Sequence, residues 1–295
     1  MNNVQIKAYA KINLTLDITG ANGGFHDLDS VVATINLYDL ITIKKRKDDK
    51  ITVEMHGLES EYIPYENNNA VRAAKAFQNA FSCDGVDIVI YKNIPIGAGL
   101  GGSSADVAGV LNGMQKLFDV DDRQRIIDVA NSLGSDCAYM LDGGFARLFG
   151  RGDKVCPIDA DVRLDVLILF AEGGVSTAQC YREYDSLAQP YHPNSLSCEN
   201  ALKSGDLTAV GKHMGNALYA PACAINPHVK RAYEQLLSFD PLGVSMTGSG
   251  SAVVALFEND QFTQYAKSRY TGEYETFITH TLNPTKRSKI WQKKD

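Results

Sequence analysis

From Ile6 to Ile18 the even positions read Ile, Ala, Ala, Ile, Leu, Leu, Ile, while the odd ones read Lys7, Tyr9, Lys11, Asn13, Thr15 and Asp17. This period of two predicts one long strand with its even face buried and Lys11 on the polar face. A loop with Gly20, Gly23 and Gly24 follows, then strand-like text through VVATINLYDLITIKK and ITVEMHGL. In NNNAVRAAKAFQNAF the pattern changes: Val71, Ala74, Phe77 and Phe81 recur at helical spacing, and Asp84-Gly85 turns the chain into a strand, VDIVIY.

A glycine-rich run, Gly97-Ala-Gly99-Leu100-Gly101-Gly102-Ser103-Ser104, comes next and opens into text with Val107, Val110, Leu111, Met114 and Leu117 on one helical face. A second helix is expected over about 121–133, stopping at Gly134 as its C′ residue, with Asp136 just beyond. The second half predicts a strand at 164–171, several helices between Thr177 and Phe239, strand GVSMT, a turn at Gly248-Ser249-Gly250, strand SAVVALF, a helix near 261–270 and strand YETFITHTL. That is the βαββαβ order of a ferredoxin-like layer. The polar stretch at 159–162 is the expected boundary between the halves.

Composition narrows the partners. The 295 residues, 44% hydrophobic and 22% charged, have ample core for two domains and exclude a disordered tail protein. A net charge of −6 opposes a general phosphate-backbone binder, so nucleic acid is not an expected partner. Apolar runs such as that from Leu167 to Ala171 fall far short of the ~20 residues of a membrane helix. The N-terminus alternates instead of showing a basic region and an apolar block, so a cytoplasmic location is expected. Six cysteines without a C-x-x-C pair indicate neither a zinc site nor a disulfide framework, and are expected to pack as small apolar residues. Oligomeric state is not legible in this pattern.

Gly97 to Gly102 satisfies G-x-G-x-x-G, but a dinucleotide fold needs a second strand about 20 residues on, and here two helices follow without one. A Walker loop needs Gly-Lys-Ser/Thr, and Ser103 stands where the lysine belongs. What survives is the physics common to such loops: small residues let backbone N–H groups approach an anion at a helix N-terminus. The Ser103 and Ser104 hydroxyls add donors for phosphate oxygens.

The chain resembles the GHMP small-molecule kinases, and within them the 4-diphosphocytidyl-2-C-methyl-D-erythritol kinases of non-mevalonate isoprenoid biosynthesis. Spaced motifs carry the resemblance along nearly the whole length: Ala8-Tyr-Ala-Lys11-Ile-Asn13-Leu, Gly24-Phe25-His26-Asp-Leu28, Pro95 to Ser104, Gly134-Ser-Asp136, Gly150-Arg-Gly152-Asp, Val175-Ser-Thr177 and Met246-Thr-Gly-Ser-Gly250. The chain departs from the family pattern at Gly23, Ser103, Ala105, Cys137 and Glu172, and none of these removes a direct chemical role.

The resemblance implies an α+β fold of two domains: a ribosomal-S5-like N-terminal domain over 1–160 and a ferredoxin-like C-terminal domain over 161–284, with an ATP and substrate cleft between them and a basic tail, 285–295, anchored by Trp291. It implies ATP as phosphoryl donor, with Mg²⁺ travelling with it, and phosphorylation of the 2-hydroxyl of a cytidine-diphosphate alcohol. Asp136 is then the catalytic base and Lys11 the lysine that stabilises charge on the transferred group. Pro95, Gly97, Gly99, Leu100, Gly101, Gly102, Ser103 and Ser104 bind ATP. Phe25 and Tyr181 sandwich the cytosine and His26 fixes its polar edge, while Asn13, Thr177, Gly248, Ser249 and Gly250 complete the substrate contacts. Asp106 is a metal-ligand candidate by position only. The alternatives are a kinase of this superfamily for another acceptor, such as homoserine, mevalonate or a sugar, and a non-catalytic nucleotide-binding homologue.

Overall fold

The opening alternation builds two strands instead of one. The computed structural model describes residues 2–58 and 68–283; the expected tail at 285–295, with Trp291, lies outside them. In chain order the described residues form β1 Asn3–Asn13, β2 Thr15–Asn22, β3 Phe25–Lys45, β4 Ile51–Gly57, α1 Asn69–Phe81, β5 Val86–Lys92, α2 Gly102–Phe118, α3 Arg123–Leu133, α4 Cys137–Asp142, β6 Phe145–Gly150 and β7 Lys154–Pro157. They continue with β8 Asp165–Phe170, α5 Thr177–Asp185, α6 Ser195–Ser204, α7 Leu207–His213, β9 Gly215–Asn216, α8 Tyr219–Ile225, α9 Pro227–Leu237, β10 Gly243–Met246, β11 Ala252–Phe257, α10 Asp260–Arg269 and β12 Glu275–His280.

The chain breaks at Leu14, whose N–H leaves the strand to bond Val31 O at 2.8 Å. The even positions from Ala8 to Ile18 are buried as expected. The odd face is not the solvated one the alternation predicts, because Lys11, Asn13 and Thr15 are buried too, at 5%, 4% and 0% exposure. The glycine loop at 20–24 is also shorter than expected. Gly20 lies within β2 at a register shift, and only Gly23 and Gly24, both in the left-handed region, make the two-residue turn into β3.

The chain divides into two compact units that interleave along the sequence. One holds the residues up to Ala10, Leu37–Ile96 and Gly101–Asp142; the other holds Lys11–Asn36, Gly97–Leu100 and the chain from Gly143. β1 and β3 contribute residues to both.

In the first unit β5 runs parallel to β4, the two joined by α1, and antiparallel to the later half of β3, with Leu40 opposite Tyr91. Asn68 caps α1 by accepting from Ala70 N; of the apolar stripe read from the sequence, Val71, Ala74 and Phe77 are buried and Phe81 is partly exposed. Val107, Val110, Leu111, Met114 and Leu117 of α2 are buried as well. α2 lies close on the sheet because Gly109 and Gly113 carry no side chain: a Cβ there would come within 2.7 Å of Ile41 Cδ1 and 2.5 Å of Ile43 Cδ1. Asp122 caps α3, which begins two residues later than expected. The helix ends at Gly134 in extended backbone instead of the left-handed conformation expected of a C′ glycine, and α4 follows unforeseen.

In the second unit β8, β10, β11 and β12 form one antiparallel sheet in the order β10-β11-β8-β12, the ferredoxin-like arrangement. β8 and β11 read as nearly unbroken apolar runs because they are central and covered on both faces. Val229, Ala232 and Leu236 of α9 pack with Leu167, Leu169, Val253 and Ala255 in one core. The early half of β3 pairs with β2 and with β6, and β2 pairs in parallel with β9. Of the cysteines, Cys137, Cys180 and Cys198 are buried as expected, whereas Cys156 on β7 is exposed. No helix among the described residues is long and apolar enough to cross a membrane.

Candidate active site

The buried odd face of β1 exists to hold a lysine. Lys11 Nζ donates to Asn13 Oδ1 at 2.7 Å, and the same oxygen accepts from Thr247 Oγ1 at 3.2 Å and Gly248 N at 2.9 Å. Asn13 Nδ2 donates to Ser30 Oγ at 2.8 Å, so the amide is fixed at both ends and cannot rotate away from the ammonium. A buried ammonium is tolerated only with such partners. Thr15 continues the polar strip by accepting from Val31 N at 2.9 Å.

The glycine run is built by backbone conformation. Gly97, Gly99 and Gly101 alternate with residues of ordinary φ and all three lie in the left-handed region, at φ 70°, 78° and 72°, where a side chain is strained. Gly99 is held more tightly than Gly97, since a Cβ there would lie 2.1 Å from Thr247 O. Thr247 Oγ1 reaches Gly99 O at 3.1 Å, Ala252 N reaches Ala98 O at 3.2 Å, and Lys11 N reaches Leu100 O at 3.0 Å. The turn at Gly248-Ser249-Gly250 is thus both the hairpin between β10 and β11 and the wall against which the glycine run rests. Asn216, unmarked in the sequence, supports it from behind by donating to Met246 O at 2.7 Å and Gly248 O at 2.8 Å. Thr177 and Ser249 share a hydroxyl hydrogen bond of 2.8 Å.

At the other end of the run, Gly101 is the N-cap of α2 and offers no side chain to its first turn. The N–H groups at the start of a 17-residue helix are therefore open to an anion. Ser104 hydrogen-bonds Cys137, whose thiol burial pushes up to about 11 with Ser104 opposing. This bond ties the first turn of α2 to the first turn of α4, where Asp136 stands immediately before Cys137. Asp136 is partly exposed, and its carbonyl accepts from Met140 N at 3.0 Å to start α4.

Asp106 does not have the surroundings of a metal ligand. Its Oδ2 accepts from Lys92 Nζ at 2.7 Å, and Lys92 also binds Asp39. Burial raises Asp106 well above the usual carboxylate range, with Asp39's charge adding to the effect and Lys92 opposing it. Desolvation works against the charge on Lys92, but its two carboxylate partners outweigh it and hold the ammonium above the ordinary lysine value. Among the described residues no cluster of three or more acidic, histidine or cysteine side chains is arranged for a metal.

The residues expected at the cytosine gather at the β2–β3 hairpin and α5. His26 stacks on Tyr181 with ring centres 4.6 Å apart and an angle of 24° between planes, and its Nε2 lies 2.7 Å from Asp185 Oδ1. Tyr181 therefore faces His26 instead of standing alone as half of a sandwich. Phe25 is 52% exposed, with the Arg151 guanidinium 3.8 Å over its ring. Asp185 carried no sequence signal, whereas Arg151 lies in the Gly150-Arg-Gly152-Asp motif without an assigned role.

Two family models match: the GHMP kinases N terminal domain over residues 68–146 and the GHMP kinases C terminal domain over 199–268. A 4-diphosphocytidyl-2-C-methyl-D-erythritol kinase from Caldicellulosiruptor saccharolyticus is 36% identical over 258 residues, 86% of this chain and 88% of the relative. One from Clostridium kluyveri is 35% identical over 94% of this chain and 99% of its own length. A crystal structure of 4-(cytidine 5'-diphospho)-2C-methyl-D-erythritol kinase, 27% identical, superposes with a TM-score of 0.78 over 95% of this chain and 100% of that one. A homoserine kinase structure from Cytophaga hutchinsonii shares the fold alone, at 14% identity, a TM-score of 0.71, and 96% and 95% coverage. Similarity at this level along most of its length makes the chain a member of the GHMP kinases and, among them, of the 4-diphosphocytidyl-2-C-methyl-D-erythritol kinase family.

Proposed function

We propose that this protein transfers the γ-phosphoryl group of ATP to the 2-hydroxyl of 4-diphosphocytidyl-2-C-methyl-D-erythritol. One observation carries the acceptor: His26 and Tyr181 form a ring stack beside Phe25 in a chain whose relatives are named for this reaction. Bases stack on such rings at about 1–3 kcal/mol each. The matched segments at 68–146 and 199–268 support reading 1–160 and 161–284 as the family's two domains.

The nucleotide enters as its magnesium complex, a substrate whose metal Asp106 does not ligate. Its phosphates meet the open N–H groups of Gly102, Ser103 and Ser104 and the backbone of the glycine run. Asp136 accepts the proton of the acceptor hydroxyl as its oxygen bonds to the γ-phosphorus and the bond to the β-phosphate oxygen breaks, releasing ADP. Lys11, fixed by Asn13, stabilises the charge on the transferred group.

The test is product analysis by mass spectrometry with MgATP and a panel of diphosphocytidyl-methylerythritol, homoserine, mevalonate and galactose. A phosphorylated cytidyl product formed by wild type, and reduced on the order of 10²–10⁴-fold by Asp136→Asn, is expected. Turnover of a different acceptor alone would discard the cytosine site and keep the kinase; no turnover of any would favour a nucleotide-binding protein without this activity.

A further inference from the structure

Lys92, Asp39 and Asp106 are buried, at 3%, 0% and 5% exposure, and the chemistry above uses none of them. Lys92 is the last residue of β5, and Asp39 on β3 stands one position beyond the last paired residues, Tyr91 and Leu40. Lys92 Nζ donates to Asp39 Oδ2 and to Asp106 Oδ2. The other oxygen of Asp39 accepts from the backbone N–H groups of Asn93 at 2.6 Å and Ile94 at 2.9 Å, and Asn93 Nδ2 donates to Tyr38 O at 3.0 Å. These bonds fix the direction in which the chain leaves β5.

Asp106 is the fifth residue of α2, so its bond to Lys92 fixes where that helix begins. Gly102 packs directly on the same point: a Cβ there would lie 3.0 Å from Ile94 Cγ2 and 3.7 Å from Lys92 Nζ. Between Ile94 and Gly102 runs the glycine-rich segment. We propose that Asp39, Lys92 and Asp106 form a buried clamp that positions the two ends of this segment to receive the nucleotide's phosphates.

Stability alone does not account for the cluster. Buried ionic triads are often replaced by well-packed apolar side chains at similar or better stability, and Asp106 Oδ1 has no hydrogen-bond partner among the described residues. What apolar packing does not supply is direction, and all the directed bonds here end on the residues that enter and leave the loop. The clamp rests on the kinase reading, and it acts by positioning, without touching substrate.

Binding of MgATP and of CDP, each measured by calorimetry together with the thermal midpoint, tests it on the full chain. Asp106→Ala and the apolar double variant Lys92→Met with Asp106→Leu are expected to weaken ATP about tenfold while CDP binding holds. Asp106→Asn, which keeps an acceptor for Lys92, is expected to bind ATP nearly as wild type does. Should Asp106→Ala not fold, the double variant carries the comparison. ATP affinity unchanged in folded variants, or ATP and CDP affinities falling together, overturns the clamp. Wild type that binds no ATP overturns the kinase reading and the clamp with it, a result visible before any variant is made.

Discussion

Asn13 and Thr247, 234 residues apart in sequence, hold each other from both sides: the Asn13 N–H donates to the Thr247 hydroxyl at 3.0 Å, and that hydroxyl lies 3.2 Å from Asn13 Oδ1 and 3.1 Å from Gly99 O. One side chain thus ties the strand bearing Lys11 to the glycine run. Thr247→Val keeps the shape and removes the hydroxyl, leaving the buried Asn13 N–H unpaired at a cost of about 1–3 kcal/mol in urea unfolding. Turnover is expected to fall with it, because Asn13, left with only Ser30 and Gly248 to hold it, fixes Lys11 less firmly. Thr247→Ser should retain most of both, and equal losses in the two variants would remove the hydroxyl from the account.

The glycines of the loop are not equivalent. Gly97 and Gly99 share the left-handed backbone, but nothing lies within 4 Å of a Cβ at Gly97, whereas one at Gly99 meets Thr247 O at 2.1 Å. Gly97→Ala should cost only the conformational strain, about 1–2 kcal/mol. Gly99→Ala should cost more and raise the KM for ATP, since the backbone must move. Denaturation curves and ATP kinetics on the two variants, showing Gly97→Ala the less damaging, check this.

At the acceptor end the His26 stack separates two contributions. Tyr181→Leu removes a stacking face, and with about 1–3 kcal/mol at stake the KM for the cytidyl acceptor should rise roughly 5- to 150-fold while that for ATP holds. Asp185→Ala releases His26 from an exposed pair and should raise the same KM only a few-fold. An ATP KM that moves in step with the acceptor's would contradict the assignment.

A pH effect follows from Glu199 on α6. Lys203 donates to it at 2.6 Å and Arg147 at 3.0 Å, and these bonds hold its carboxyl below the ordinary 4.5. Because the folded state favours the ionised form, the resulting stability is complete above about pH 4.5 and is lost as pH falls through the lowered value. The difference in unfolding free energy between wild type and Glu199→Gln should be flat near neutrality and shrink in acid. A difference that grows in acid would mean that folding favours the protonated carboxyl instead.

Legibility in the sequence followed chemistry more than position. The ferredoxin-like order of the second half was readable because its central strands, β8 and β11, are apolar runs and glycines mark the turns. The face of β1 was readable only in part, since period-two logic assigns Lys11, Asn13 and Thr15 to solvent and cannot see partners at Ser30, Ser195 or Thr247. Asn216 and Asp185 act through specific hydrogen bonds that leave no periodic trace. Lys92 lay in plain view at the end of a strand, but its burial depends on Asp39, 53 residues earlier. The interleaving of the two units was hidden for the same reason, because β1 and β3 look like uninterrupted strands.

That interleaving orders events during synthesis. Everything in the first unit has been translated by Asp142, whereas the second waits for Thr247 and the strand after it. At 5–20 residues per second, roughly 5–20 s pass between those two points. Throughout that interval Asn13 has Ser30 but neither Thr247 nor Gly248, so the amide that receives the Lys11 ammonium is held at one end only. A nascent chain that already has α2 therefore lacks the full set of bonds around Asn13, and the ribosome withholds that order until Thr247 and Gly248 have left it.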